Sequence, residues 1–526
     1  MPDLSKPSHP SRAWLLPGAA SGLLLTAAFP DIQAWPLAFA ALVPLLAALE
    51  HLSPKQAFKA GFTAGFIHFA SLIYWLVPTL TTFGNLYPVL ALATLALLCL
   101  YLALYPALFA LGMRYLSPHA RAFPLTAAAL WTALEYLRTY LFTGFGWGSL
   151  GYALAPQATW LQWADLTGVL GLSFVLVLCN AGLAVLVRWR PGKSLGALAG
   201  ALVLPLVVAI VVPIYGTARM RQLTPELAQA PTSRITLVQG NIQQHQKWNQ
   251  AFRNFTLDKY RQLSLASQEV SAHGKSDLVI WPETALPFYY GLDSLPSLAV
   301  DRIVRQMDVP LLAGSPMADI GKEEIRYFNR AHMISSTGVP TGHYDKTHLV
   351  PFGEYVPLQE VLPFVRKLTQ EAGNYTPGET HFTPLKYGDH NTGVLICFEI
   401  LFPGISRAFV NNGAQILTTI TNDAWFGTTS APAQHLAVAV LRAVENRRSL
   451  ARAANTGISC FIDPLGRVSQ ATPLFEDAAV TADLPILSQT SIYTRFGDWL
   501  PLACLIAMGL AFMVKGRQTI PRRNQP

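Results

Sequence analysis

Charge is scarce in this chain. Only 13% of its 526 residues are charged, against about 25% in an average soluble domain. The deficit is uneven: residues 13–215 and 495–514 carry few charges, whereas 216–494 have an ordinary α/β composition. That pattern excludes a uniformly water-facing chain and points to a membrane part enclosing one soluble domain in sequence. No basic run accompanies the net charge of +8, so no nucleic-acid partner is expected. Cysteine is scarce too. Of five, Cys99, Cys179 and Cys504 fall in apolar runs, leaving Cys397 and Cys460 outside them. An oxidising exterior would permit that last pair to bridge, but pairing is not readable from sequence. No Cys/His set has metal-ligand spacing, so zinc is not expected; no cofactor is expected either. Internal repeats and low-complexity tracts are missing as well.

Long apolar runs are abundant, at roughly 13–30, 34–50, 60–79, 87–113, 122–142, 163–187, 195–215 and 495–514. Most approach the ~20 residues a bilayer span needs. The second is short and holds Pro36 and Pro44, which makes it a candidate broken or re-entrant segment. Lys6 and Arg12 precede the first run as in a signal peptide, but further spans follow at once, which favours an uncleaved helix. Alternate loops carry Lys55 and Lys59, Arg114 and Arg121, then Arg188, Arg190 and Lys193, whereas 80–86 and 143–162 carry no charge. By the positive-inside rule, eight spans result with both termini cytoplasmic and 216–494 outside. The expected domains are a bundle at 1–215, a soluble domain at 216–494, and a final helix with a basic tail at 495–526.

The soluble stretch alternates short β-rich runs with helical ones. "RITLVQGNI", "SDLVIWPETALP", "PLLAGSP", "RYFNRAHMISSTG", "GHYDKTHLVPF", "TGVLICFEI" and "AQILTTITND" read as strands, and "GISCFIDPLGRV" as a closing hairpin. "FTLDKYRQLSLASQEV", "DRIVRQMDV" and "HLAVAVLRAVENRRSLARAA" have helical spacing. Such alternation implies a layered α/β domain. Residues 350–380 form the longest irregular region and a candidate mobile lid.

Three strands end in reactive side chains: Glu283 after "LVIWP", Lys346 after "GHYD", and Cys397 after "GVLI". Strand C-terminal ends are where α/β sheets collect ligands and chemistry. A free thiol is mostly protonated at neutral pH and needs activation to act as a nucleophile. A carboxylate within hydrogen-bond reach can take its proton, and an ammonium can lower its pKa or stabilise a tetrahedral oxyanion. Taken singly, each residue is more often structural: a solvated Glu or Lys, or a core Cys.

"WPETALP", "YDKTHLVPFGEYVP" and "LICFEILFP", in this order, resemble the Glu–Lys–Cys triad of the carbon–nitrogen hydrolase (nitrilase) superfamily. With flanking spans and "VQGNIQQHQKW" opening the domain, the whole chain resembles that superfamily's membrane-embedded apolipoprotein N-acyltransferase family. The resemblance implies a multi-pass helical membrane domain of about eight spans plus an extracytoplasmic nitrilase-like αββα sandwich. It makes Glu283 the general base, Lys346 the oxyanion-stabilising cation and Cys397 the nucleophile. Glu354 and Glu399 match supporting acidic residues, and Trp248 and Asn329 match positions around the substrate pocket. Phe398 stands where the family commonly has tyrosine, so a hydroxyl is lost there while the backbone N–H remains. The implied reaction moves an acyl chain from a phospholipid, chiefly phosphatidylethanolamine, through a cysteine thioester to the α-amino group of a diacylated lipoprotein. The implied location is the bacterial inner membrane, with the catalytic domain periplasmic, and the implied state is a monomer.

Aromatic residues at a headgroup-level mouth would suit that role. Phe145, Trp147, Tyr152 and Trp160, "PFYY" at 287–290 and "DAWFG" at 423–427 are candidates, with core packing as the plain alternative. Glu135 and Arg138 lie one turn apart within a span and are expected to pair, a headgroup or acyl-path role being the alternative. Two rivals remain at this level: a membrane-anchored amidase with the same triad, and a transporter or scaffold with a non-catalytic domain.

Overall fold

The computed structural model describes residues 12–519 except 118, 193, 248, 270–273, 322–323 and 356–373. The chain clusters into two compact units. The first comprises Met1–Tyr74, Leu92–Thr217 and Asp498–Pro526; the second comprises Trp75–Ala91 and Ala218–Gly497. Trp75–Ala91 therefore groups with the soluble stretch that follows Thr217.

The first unit is helical. Among the described residues, four helices are long and apolar enough to cross a membrane: Pro88–Leu116, Ala164–Arg188, Leu195–Gln229 and Trp499–Gln518. A fifth is reached if Pro54–Leu72 and Leu76–Thr82, bent by 48°, count as one span. The other expected runs take different forms. The first is a helix of only 13 residues, Leu15–Ala27. The second breaks into Trp35–Phe39 and Val43–Ala48, each with proline in its opening turn, where a missing N–H costs nothing. Close helix approach is built from small residues: a Cβ on Gly22 would lie 2.6 Å from the Ala64 carbonyl oxygen.

Phe123–Tyr140 carries Glu135 and Arg138, both buried. Glu135 and Arg138 approach at 3.8 Å, but their shorter bonds go elsewhere. Arg138 donates to the Trp147 carbonyl at 2.6 Å and to Ser149 Oγ at 3.1 Å, and the Leu150 N–H donates to Glu135 Oε1 at 2.9 Å. The pair thus pins the 147–150 loop. Trp147 and Tyr152 are themselves buried, which makes them packing residues and corrects the idea that they line a mouth.

The second unit holds twelve strands among the described residues: β1 (Thr232–Gln239), β2 (Leu278–Ile280), β3 (Leu311–Ile320), β4 (Ile325–Ile334), β5 (Pro340–Asp345) and β6 (Leu385–Tyr387) come first. Then follow β7 (His390–Ile396), β8 (Ile416–Thr421), β9 (Ser449–Ala454), β10 (Cys460–Ile462), β11 (Val468–Ser469) and β12 (Ala478–Pro485). They form two six-stranded sheets, ordered β12-β1-β2-β3-β4-β5 and β11-β10-β9-β8-β7-β6. Each has a parallel centre, β1-β2-β3 and β7-β8-β9, with antiparallel margins. The sheets face each other through β1 and β9, while helices Arg253–Glu269 and Ser294–Met307 cover one and Pro403–Asn411 and Ala431–Asn446 cover the other. This is an αββα sandwich. Central strands buried on both faces read as unbroken runs, which is why "ILTTIT" lacks alternation.

One helix expectation is wrong. "HLAVAVLRAVENRRSLARAA" does not continue as a helix: it stops at Asn446, capped by Arg447 in the left-handed region (φ 51°), and Ser449–Ala454 becomes β9. Alanine and arginine favour helix locally, but a slot between β8 and β10 outweighs that weak preference. Phe288 and Tyr290 also join the buried core beside Trp281 and Val304, so they are not mouth residues.

Candidate active site

Glu283, Lys346 and Cys397 come from different strand ends, and the fold brings them together. β2 ends at Ile280, and Trp281 anchors the turn by donating to Ser264 Oγ at 2.9 Å and stacking on Tyr260. Glu283 follows, only 7% exposed. Its turn lies directly on β3, where a Cβ on Gly314 would sit 2.6 Å from the Thr284 nitrogen and 2.8 Å from Glu283 Cα. Only glycine permits that approach.

Lys346 is set by the margin of the same sheet. Arg330 on β4 grips Asp345, the last residue of β5, through two bonds of 2.6 and 2.7 Å. The Lys346 N–H then donates to the Asn329 carbonyl, extending the ladder by one residue. Its side chain is 1% exposed, with Nζ 2.8 Å from Glu354 Oε2, 2.9 Å from Glu354 Oε1 and 3.9 Å from Glu283 Oε1. Burial alone would drag this ammonium down. Glu354 first, then Glu283 and Cys397, outweigh it and hold the pKa above the ordinary lysine value.

Cys397 sits where β7 turns into the 3-10 helix Cys397–Leu401, with a φ of +53°. Left-handed backbone is uncommon outside glycine, and such strain gathers at working sites. Part of its surface stays exposed, and all five cysteines are free thiols, which leaves Cys397 and Cys460 unbridged. Burial pushes the Cys397 thiol up, and Glu283 pushes the same way. Lys346 opposes both without prevailing, and a hydrogen bond with Thr421 helps it. The resting nucleophile is therefore a thiol that needs a base.

Around this trio the supporting residues fall into place. Asn329 Nδ2 donates to Glu283 Oε1 at 2.7 Å and to Glu354 Oε1 at 3.0 Å, bridging the two carboxylates. Glu354 Oε2 also accepts the Val350 N–H at 2.8 Å, which closes its own loop. Glu399, fully buried, accepts from the Thr347 N–H and hydroxyl, the His348 N–H and Tyr344 Oη through one oxygen, and from the Ile396 N–H through the other. It ties the segment after Lys346 to the strand before Cys397. Phe398 packs edge-on against Phe402 and sits in the first helical turn, where backbone N–H groups lack intrahelical partners. Trp248 lies outside the described residues, as does most of the expected lid, at 356–373.

Other residues of this site escape a reading of the sequence. The Asn422 N–H donates to Glu283 Oε2 at 2.9 Å, so both oxygens of that carboxylate are held. Behind Cys397, His435 Nε2 lies 3.2 Å from the Cys397 carbonyl oxygen, and its Nδ1 lies 3.1 Å from an Arg452 nitrogen. A carbonyl only accepts, so Nε2 carries the proton and the ring donates to the nucleophile's backbone. Burial, then Arg452, lowers the His435 pKa and keeps that ring neutral. Arg452 also donates to Asp423 Oδ2 at 2.6 Å, completing a fully buried cluster. Lys247, 3% exposed, donates to the Glu283 carbonyl at 3.1 Å. In sequence these are isolated polar letters, and only "TND" directly after a strand hints at Asn422 and Asp423.

Chemically, the arrangement offers a thiol, a carboxylate oriented by two N–H donors, a paired ammonium and an N–H at a helix start. That set can deprotonate a nucleophile and stabilise a tetrahedral oxyanion. Among the described residues no group of His, Cys, Asp and Glu is arranged to hold a metal ion.

Comparison with known proteins adds relatives along the whole chain. Residues 21–182 match the apolipoprotein N-acyltransferase N-terminal domain, and 234–491 match the carbon-nitrogen hydrolase family. An apolipoprotein N-acyltransferase of Geobacter metallireducens is 39% identical over 520 residues, covering 98% of each chain. One from Chlorobaculum tepidum is 33% identical, covering 96% of each. Among solved structures, an amidase from Nesterenkonia sp. aligns at 20% identity with a TM-score of 0.38, covering 51% of this chain and 94% of that one.

Proposed function

This chain belongs to the apolipoprotein N-acyltransferase family, and we propose that it carries a fatty acyl group from a phospholipid, on Cys397, to the α-amino group of a diacylated lipoprotein. It is an N-acyltransferase that works in lipoprotein N-acylation. The amidase alternative is set aside, because the full-length relatives are named as acyltransferases and the N-terminal domain is theirs.

In the first half-reaction Glu283 takes the proton from Cys397 Sγ, and the sulfur attacks the ester carbonyl. Lys346 and the Phe398 N–H stabilise the resulting oxyanion. Collapse breaks the ester C–O bond, and Glu283 returns the proton to the departing lysophospholipid oxygen. In the second half the free amine attacks the thioester, gives its proton to Glu283 and leaves the thiol restored. One base serving both halves is ping-pong logic. Phosphatidylethanolamine is the donor we favour, and the working unit is a monomer. The observation that carries this mechanism is the meeting of three strand ends at one place: Lys346 Nζ lies 3.9 Å from Glu283 Oε1, and the charges of both act on the Cys397 thiol.

The chain is a membrane protein by its apolar helices. We read it further as an inner-membrane protein of about eight spans, termini cytoplasmic, with 216–494 in the periplasm between the 1–215 bundle and the 495–526 tail. The physical reason is retention: each buried methylene holds by ~0.8 kcal/mol, so a chain of ~16 carbons holds by roughly 12 kcal/mol. Donor and acceptor stay in lipid, and the catalyst must meet them there. Purified enzyme with phospholipid and a diacylated lipopeptide should yield the N-acylated peptide and lysophospholipid. Ammonia release from small amides, without peptide acylation, would overturn the proposal.

A further inference from the structure

The buried charges at this site do not balance without a residue so far treated as background. Glu283 and Glu354 are two carboxylates facing the single ammonium of Lys346, which is already gripped by Glu354 at 2.8 and 2.9 Å. Moving the thiol proton to Glu283 does not help: Cys397 takes up the negative charge that Glu283 gives up. The cluster is one cation short both before and during attack, and uncompensated charge is costly in a buried site.

Lys247 closes that gap. It ends the helical turn Gln244–Lys247, which is tethered by Asn422 Nδ2 donating to Gln244 Oε1 at 2.9 Å. The same Asn422 gives its N–H to Glu283, so the turn and the base share one anchor. Lys247 Nζ donates to the Glu283 carbonyl at 3.1 Å and is 3% exposed. Among the described residues no carboxylate lies within 4.0 Å of it, unlike Lys346. An ammonium has three donors, and this one, with a single hydrogen bond among the described residues, has donors to spare for charge that develops beside it.

We propose that Lys247 is a second cation of the acyl-transfer site, whose charge adds to that of Lys346 in stabilising the Cys397 thiolate and the oxyanion that follows. The inference rests on the catalytic reading of Glu283, Lys346 and Cys397. Burial lowers the Lys247 pKa to about 8, with Glu283 and Cys397 pulling it back up. Its charge is thus largely present at neutral pH and is lost as pH rises through that value.

The test follows Cys397 acylation by intact mass in the full-length protein, reconstituted with phospholipid alone, across a pH range of about 6 to 10. Lys247→Met should slow acylation about tenfold or more, while Lys247→Arg should stay near wild type. Wild-type acylation should decline above pH about 8, and Lys247→Arg, which keeps its charge, should lose that decline. Wild-type rates in Lys247→Met, equal losses in both variants, or an unchanged alkaline decline in Lys247→Arg would each overturn the proposal. Should Lys247→Met not fold, the arginine pH profile decides alone. No acyl group on wild-type Cys397 would instead overturn the parent reading, and this inference with it.

Discussion

Glu399 follows the nucleophile by two residues, yet its carboxylate reaches across to Thr347, the neighbour of Lys346, and accepts that N–H at 2.7 Å. The other oxygen turns back to the Ile396 N–H at 2.8 Å. One fully buried side chain therefore sets the spacing between the strand end that bears the cation and the one that bears the thiol. Glu399→Gln puts an amide donor against N–H donors. It should cost about 2–4 kcal/mol of stability, read by thermal unfolding, and cut acylation about a hundredfold or more. Wild-type activity with an unchanged melting temperature would contradict this.

Gly314 is the floor under the base. A methyl group there meets Glu283 Cα at 2.8 Å and must push the turn away. Gly314→Ala should lower kcat about a hundredfold, since a shift of about 1 Å in a catalytic group has that effect. Expression and unfolding temperature should change much less.

His435 is a positioning residue. Its Nε2–H holds the Cys397 carbonyl at 3.2 Å, at the residue whose backbone is left-handed. His435→Phe should reduce kcat about tenfold to a hundredfold with KM little changed, because the substrate does not meet the ring. His435→Gln, which retains an N–H donor, should recover much of the loss. Equal losses in the two variants would show that shape, not the donor, matters.

The Cys397 thiol is pushed up by burial and by Glu283, so its own ionisation lies above neutral pH. The sign is plain: the protonated form dominates below that pKa, and thiolate appears only as pH rises through it. Without substrate, iodoacetamide should label Cys397 slowly at neutral pH, and labelling should keep rising past the ~8.5 of a free thiol. A plateau reached by neutral pH would mean a preformed thiolate and would contradict the need for Glu283.

Much of this was legible in the letters, for physical reasons. Strand runs that stop at a polar residue, such as "GVLI" before Cys397, mark sheet ends regardless of tertiary detail. The membrane text was legible in part, because apolar length is a local property. The bent Pro54–Leu72 and Leu76–Thr82 pair and the short Leu15–Ala27 helix depend on packing, which composition does not encode. The same holds for β9, where a sheet slot overrides helix preference, and for Glu135 and Arg138, which pin a loop more than each other. Lys247, Asn422 and His435 were invisible because each meets the site through a main-chain bond to a residue distant in sequence, Asn422 by its own N–H and the other two at the partner's carbonyl.

The account stands most directly on a covalent intermediate. After incubation with phospholipid and no acceptor, intact-protein and peptide mass spectrometry should find one fatty acyl group on Cys397, labile to hydroxylamine as a thioester. It should be absent from Cys397→Ala and nearly absent from Glu283→Gln, with both variants folded. Acylation at another residue, or transfer to lipopeptide by Cys397→Ala at the wild-type rate, would contradict it.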